Sequence, residues 1–419
     1  MQELIYLRQR GVWAFNSHFF VTGQSGSGKS VAAEWRVIEY VNAKTHVVID
    51  CGDRGRFENF CYALKEVDPA LLNLLHMRTR GTIKAHTTPC ELLLLCGQGL
   101  YTIDKLPNNV KLCSFKKEDM KIPYMYELLG ETKNLMVVLQ NLQAKYGRDF
   151  NLKDLEQLVF QKTFKGKKTY FSWGNSSTYN MMVNRLRAWL DSGLFSDHPD
   201  VVKIDFLKMF NQPGKVVCPN NYLLMPQEDE IAYSILLDNI FEMKRTRRIK
   251  YPIALYLREL SNFMEWKITK NIVKTLATQG RGYQIDLIAC FQSPMQIQPP
   301  VIRQQAGYTL QLKASLAVAQ KINDIQIVPS NVVNRIPYFK PGEGILVTGQ
   351  KWLKNVMIPP SPHRHASKGF DVMEELGKAY GWRKVDGPTI LNYGDDSWKP
   401  NYEETDKKAE EDKAGFEDI

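Results

Sequence analysis

The chain has 419 residues, 44% of them apolar, with 55 Lys and Arg against 45 Asp and Glu. That is enough to build a large core in two or three folding units. Its longest apolar run, LLLL at 92–95, falls far short of the roughly 20 residues that span a bilayer, and no secretory pattern stands at the N-terminus, which speaks against a transmembrane pump or an N-terminally anchored protein.

In chain order, VWAF at 12–15 and HFFVT at 18–22 give the first apolar signals, the second reading as a buried strand that ends at Gly23. A glycine loop follows, then SVAAEWRVIEYV at 30–41 with Val31, Trp35, Ile38 and Val41 near helical spacing, then a second short strand, HVVID at 46–50, before a turn with Gly52, Asp53 and Gly55. Strand, glycine loop, helix and strand within some thirty residues open a three-layer α/β domain. Blocks such as LLNLL, ELLLL, YELL, LMVVLQNL and LEQLV, separated by Pro89, Pro107 and Pro123, read as a mostly helical insertion, with VKLCSF at 110–115 its best strand. An amphipathic helix through Met182, Leu186 and Leu190 and a long helix over about 228–245 precede the return of the α/β pattern. There IALYL at 253–257, QIDLIACF at 284–291, YTLQL at 308–312 and GILVTG at 344–349 are strands, and 268–279 is a helix. The expected units are a first part of the core at 1–61, the insertion at 62–199, a second part of the core at 200–358, a docking arm at 359–394 and an acidic, disordered tail at 395–419.

Seven scattered Cys with no CxxC pair argue for buried free thiols rather than a disulfide scaffold or zinc site. Residues 402–419 carry eight acids and three Lys, so the net +10 of the chain leaves about +15 on the rest, a weak pointer to a polyanionic partner.

GQSGSGKS at 23–30 fits the whole G-x-x-x-x-G-K-[ST] pattern and sits between a buried strand and a helix, as phosphate binding requires. Gly23, Gly26 and Gly28 let successive N–H groups of Gln24, Ser25 and Ser27 converge on phosphate oxygens, the helix start adds positive partial charge, Lys29 reaches the β- and γ-phosphates, and Ser30 completes a Mg²⁺ shell. Hydrolysis also needs a carboxylate near the γ-phosphate, and Glu259, at the exit of the strand 253–257, is the expected base. Arg258 stands where an Asp would hold Mg²⁺ through water, so Asp50 at the end of HVVID is the candidate metal carboxylate. Gln292, at the end of 284–291, is the expected γ-phosphate sensor. Arg281, at the opposite end of that strand, is a candidate to act across a ring interface, with Arg303 and Arg335 as rivals.

These segments resemble, in order, the FtsK/HerA group of P-loop translocases, with its VirD4-type and VirB4-type branches. GQSGSGKS is similar to the group's phosphate loop, VVIDCGDRGRF at 47–57 to its post-helix strand and turn, ALYLRELSNF at 254–263 to its hydrophobic strand plus D-E with Arg258 in place of the Asp, and GRGYQIDLIACFQSP at 280–294 to its sensor segment. PPVIRQQAGYTLQLKAS at 299–315 and PGEGILVTG at 341–349 resemble the segments after it. The resemblance implies a RecA-like P-loop core with a mostly parallel twisted sheet between helices, ATP and Mg²⁺ as cofactors, and a homo-oligomeric, usually hexameric ring that pulls double-stranded DNA through its channel. With no membrane span and a helical insertion, a viral genome-packaging or mobile-element ATPase is the expectation, cytoplasmic or virion-associated, with a capsid, portal or secretion-complex partner. The other readings are a VirB4-like protein-secretion motor and a nucleotide-gated assembly protein with weak hydrolysis. Candidate substrate contacts are KRTRRIK at 244–250, which leads into a strand on the side away from the nucleotide edge, Lys116 and Lys117, and KGKK at 165–168, whose neighbouring aromatics are suited to stacking on bases.

Overall fold

The computed structural model describes residues 17–51, 69–362 and 383–384, except 80, 82–83, 85, 97–100, 103–108, 122–123, 127–131, 148, 170, 174–175, 222, 225, 294–295, 297–299, 322–327 and 349–351. The signal at 12–15, the turn at 52–57, nearly all of the docking arm and the whole tail lie outside the described residues.

An eleven-stranded sheet organises the chain. Its strands in chain order are β1 His18–Thr22, β2 Val47–Cys51, β3 Cys90–Leu95 and β4 Val110–Ser114, then, after a separate hairpin of β5 Thr163–Phe164 and β6 Lys167–Lys168, β7 Val202–Lys203, β8 Val216–Asn220, β9 Ile253–Leu257, β10 Ile285–Phe291, β11 Ala306–Leu312, β12 Glu343–Thr348 and β13 Trp352–Met357. Across the sheet they run β13-β12-β11-β1-β10-β9-β2-β8-β3-β4-β7. Every pairing from β11 to β7 is parallel, and only β12 and β13 join antiparallel. The carboxyl ends of these nine strands, and of β13, therefore share one edge.

Such a sheet needs helices on both faces, because its strands bury side chains on each side. One face packs α1 Lys29–Ala43 and α2 Pro69–Thr79 against Phe19, Val21, Val48, Leu92, Leu94, Tyr256 and Ile288. The other packs α3 Lys133–Tyr146, α4 Leu152–Glu156, α5 Ser176–Leu190, α6 Pro226–Arg245, α7 Leu260–Glu265 and α8 Lys267–Gln279 against Phe20, Ile49, Leu93, Leu95, Leu255 and Leu287. ELLLL at 91–95, expected among the helical blocks, is part of β3, whose alternate leucines face both cores. A continuous apolar run has no period, and strand β3 is the parallel, doubly covered case that such a run also fits. The rest of the insertion is largely helical, as expected. Among the described residues no helix is long and apolar enough to cross a membrane.

Candidate nucleotide site

The loop 23–28 leaves β1 at the carboxyl edge of the sheet and enters α1. Gly23 has φ +157, and a Cβ there would stand 2.7 Å from Ser27 Oγ and 3.1 Å from the Lys313 carbonyl. Only glycine lets the chain pass this point unstrained. The Gly23 N–H donates to Phe291 O and the Gln24 N–H to Lys313 O, so the loop is pinned to the exits of both neighbouring strands, β10 and β11. Gly26 (φ +76) faces open space, and Gln24, Ser25 and Gly26 are exposed. Gly28 (φ +102) caps α1 with no side-chain bond, which leaves the amides of the first turn directed out of the helix.

Lys29 lies folded into this loop, only 8% exposed, its Nζ donating to Gly23 O (2.8 Å) and Gln24 O (3.1 Å). Ser30 is half-buried one position further on. Among the described residues, the buried Ser27 hydroxyl has no hydrogen-bond partner. A second turn braces the loop from behind: the Gly342 N–H donates to Ser27 O, the Ile358 N–H to Gly342 O, and Arg78 Nη1 of α2 to Ile358 O. Sequence reading noticed the glycine turn at 341–349 but not Arg78, whose role depends on a helix in the insertion.

Strand order brings the other candidates to the same edge. Strands β1, β10 and β9 are adjacent, with Thr22 opposite Phe291 and Leu257 opposite Ala289. Gln292 is the first residue past β10 and Glu259 the second past β9, one and two strand spacings from β1, or roughly 5 and 10 Å. Gln292 is exposed, and its backbone N–H, like that of Ser293, donates to Gln296 Oε1. Glu259 is half-buried at the start of α7. Between them lies Cys290, whose thiol sits 3.7 Å from Lys29 O. Burial pushes that thiol up to about 12, the Tyr256 hydroxyl and the Lys29 charge oppose the shift, and the Glu259 charge adds to it.

Arg258 and Asp50 form a buried ion pair. Arg258 Nε donates to Asp50 Oδ1 at 2.9 Å and Nη2 to Oδ2 at 2.6 Å, with the guanidinium 5.2 Å from the Tyr256 ring centre. Asp50 is 0% exposed and Arg258 4%. Burial holds the Asp50 carboxyl above its ordinary range, with Arg258 opposing it. For Arg258, burial works against the charge, but Asp50, then Tyr256 and Glu34, hold the guanidinium well above its usual range. Glu34, wholly buried on α1 one turn past Ser30, completes an acidic–basic cluster between helix and sheet. Both Asp50 oxygens accept hydrogen bonds from Arg258, so the carboxylate expected to help hold a metal also neutralises the arginine.

Arg281 lies exposed in the turn Gly280–Tyr283 at the amino end of β10, on the edge opposite the loop. Arg335 is exposed before the turn Ile336–Tyr338, and Arg303 lies in the short helix Pro300–Gln304. Arg281 thus lies on the sheet edge away from its own chain's loop. The loop, with its glycine cradle, outward amides, partnerless Ser27 hydroxyl and inward Lys29, fits a nucleotide's phosphates, and Ser30 fits a hydroxyl ligand of the accompanying Mg²⁺.

The three basic runs differ. Lys117 pairs with Glu156 and Asp197. Lys244 is buried on Tyr251 O and Arg245 pairs with Glu242, leaving Arg247, Arg248 and Lys250 exposed at the amino edge of the sheet. Among the described aromatics beside KGKK, Phe164, Phe171 and Trp173 are half-buried: Phe164 packs 4.3 Å from the Tyr146 ring centre, and Phe171 packs on Trp173.

No protein-family model matches the sequence, and no curated protein matches it significantly. Among solved structures, the fold is similar to that of the plasmid coupling protein TrwB in complex with a non-hydrolysable ATP analogue, with a TM-score of 0.51 at 12% identity over 84% of this chain and 87% of that one. It is also similar to VirB4 of Thermoanaerobacter pseudethanolicus, with a TM-score of 0.52 at 15% identity over 82% of this chain and 90% of that one. What is shared at this identity is the fold; this chain's own is a mostly parallel twisted sheet between helices, consistent with a RecA-like P-loop core with a largely helical insertion.

Proposed function

We propose that this chain is an ATP-driven translocase that moves double-stranded DNA through a ring of its own copies, in genome packaging or mobile-element transfer. The observation that carries the reading is the convergence of three adjacent strand ends, at Thr22, Leu257 and Phe291, which sets a phosphate loop, a carboxylate and an amide along one edge. When bound, Mg²⁺-ATP would supply the phosphoanhydride bond to be broken and a divalent charge that offsets the charge developing as it breaks.

The chain's own groups then have distinct tasks. The amides of Gly23 to Ser30 bind the phosphates, and Lys29 exchanges the carbonyls of Gly23 and Gln24 for phosphate oxygens. Ser30 holds the metal. Glu259 accepts a proton from the attacking water, and Gln292, one strand nearer the loop, bonds that water and the γ-phosphate. Arg281, on the far edge, serves the nucleotide of a neighbouring copy in the ring, with Arg303 and Arg335 as alternatives. The fold shared with the plasmid coupling protein TrwB and with VirB4 fits a DNA motor and a secretion motor alike, so the choice between them rests on the response to DNA.

The test is ATP hydrolysis on size-fractionated protein with and without duplex DNA. Stimulation by DNA is expected. Lys29→Ala should lose nucleotide binding, whereas Glu259→Gln should keep binding and lose hydrolysis by about 10² to 10⁴-fold. Hydrolysis that ignores every nucleic acid offered removes the DNA reading and favours the secretion motor. Full hydrolysis in Glu259→Gln removes the assignment of the base.

A further inference from the structure

The hairpin Thr163–Lys168 is built in an unusual way. It follows a π-helical turn, Gln157–Gln161, and Lys162 at its entry has φ +54. Its two-residue loop is Lys165-Gly166, both with positive φ (48 and 76), the type I′ geometry that joins a twisted strand pair. Asn, Asp or Gly is the preferred first residue of that turn, because the left-handed backbone crowds the Cβ of an ordinary side chain. Here the position holds a lysine. π-turns and left-handed non-glycine residues concentrate at functional sites, where surrounding packing holds them in place.

That packing is visible. Phe164 stacks in a cluster with Tyr146 and Phe150, Tyr146 Oη shares a hydrogen bond with Thr169 Oγ1 at 3.3 Å, and the Thr169 N–H donates to Lys162 O. The base is anchored in turn. The Leu152 N–H of α4 donates to Met120 O, just beyond the carboxyl end of β4, and Lys117 pairs with Glu156. The base of the hairpin is thereby tied to the segment that follows the carboxyl end of β4. Lys162, Lys165, Lys167 and Lys168 are all exposed, and among the described residues none of them has a carboxylate within salt-bridge distance. Lys167 and Lys168, adjacent on a strand, project to opposite faces of the ribbon.

We propose that this hairpin grips the phosphodiester backbone of nucleic acid, its lysines meeting phosphates on either side of a two-stranded ribbon. The ribbon is narrow enough for a duplex groove about 12 Å wide. Because Phe164 is turned inward and covered by Lys165 Nζ at 5.3 Å, the contact is with backbone charge rather than with stacked bases. An anionic membrane is disfavoured for the same reason, since the apex exposes no apolar anchor. The inference rests on the proposed translocase reading only for its consequence in the motor, not for the contact.

The test uses the full chain and a duplex of arbitrary sequence, measured by fluorescence anisotropy across about 50 to 200 mM salt. Lys165→Ala/Lys167→Ala/Lys168→Ala should weaken binding and lower the slope of log affinity against log salt by about 2 to 3, since each lost phosphate contact removes roughly 0.9. Lys167→Glu/Lys168→Glu, which leaves the turn residues untouched, should do the same. Arg247→Ala/Arg248→Ala/Lys250→Ala removes equal charge at the opposite edge and should leave the slope nearly unchanged. Equal slope losses in both triple variants, a parent protein that binds no duplex, or a loss confined to anionic vesicles would overturn the proposal. If the hairpin variants lose DNA binding while hydrolysis in the parent never responds to DNA, the translocase reading falls and the contact stands. If hydrolysis responds and the hairpin variants bind normally, the reverse holds.

Discussion

At Asp50 and Arg258 the question is which charge each group answers to. An arginine so fully buried is tolerable only with a partner, and Asp50 supplies one through hydrogen bonds of 2.9 and 2.6 Å. A carboxylate holding a metal and one neutralising a buried guanidinium respond differently to the loss of charge. Asp50→Asn leaves Arg258 without its counter-charge, so the protein should lose about 3 kcal/mol of stability, because breaking a buried pair exposes the full desolvation cost of the survivor. The Mg²⁺ concentration needed for half-maximal hydrolysis should hardly move. Urea midpoints and a Mg²⁺ titration on the same preparation separate the cases: unchanged stability with a raised Mg²⁺ requirement would make Asp50 a metal ligand. The pair was not legible beforehand. The two residues are 208 positions apart, and they meet only because β2 lies beside β9 with Asp50 opposite Tyr256.

Among the elements, local chemistry was readable where it is carried by consecutive residues. GQSGSGKS specifies a loop whose conformation follows from its own glycines, and IALYL and QIDLIACF are buried strands wherever their neighbours lie. The hairpin 163–168 was noticed for its charges, but its orientation was not, since only the packing of Phe164 on Tyr146 decides which way the aromatics face. Its turn gives a second prediction. Lys165→Asn places a residue that tolerates φ near +50 where a lysine is held, so the variant should be more stable by up to about 1 kcal/mol. It should also bind duplex DNA more weakly, by one phosphate contact. Thermal unfolding and anisotropy should therefore move in opposite directions, and a loss of stability in this variant would mean that the left-handed backbone is not strained.

For the whole molecule, the insertion between the two parts of the core is continuous with them. β3 and β4 come from 62–199, yet they lie between β8 and β7 in the main sheet, and Leu93, Leu95, Cys113, Phe115, Leu139 and Leu186 share one core with Ile49, Leu255 and Leu287. The helices of the segment were expected, but its contribution to the sheet was not, because nothing in an apolar run such as ELLLL says which strands it will lie between. Replacing 70–195 with a short flexible linker would strip β8 of its outer neighbour and uncover the face beneath α3 and α5. A bare parallel edge and a wide apolar face both promote association, and a parallel sheet tolerates neither face in water. The shortened chain should therefore aggregate or bind hydrophobic dyes, and it should lose nucleotide binding even though residues 23–30 are intact. A monomeric, cooperatively unfolding product that still binds ATP would show instead that the segment is a separable domain hung on a complete core.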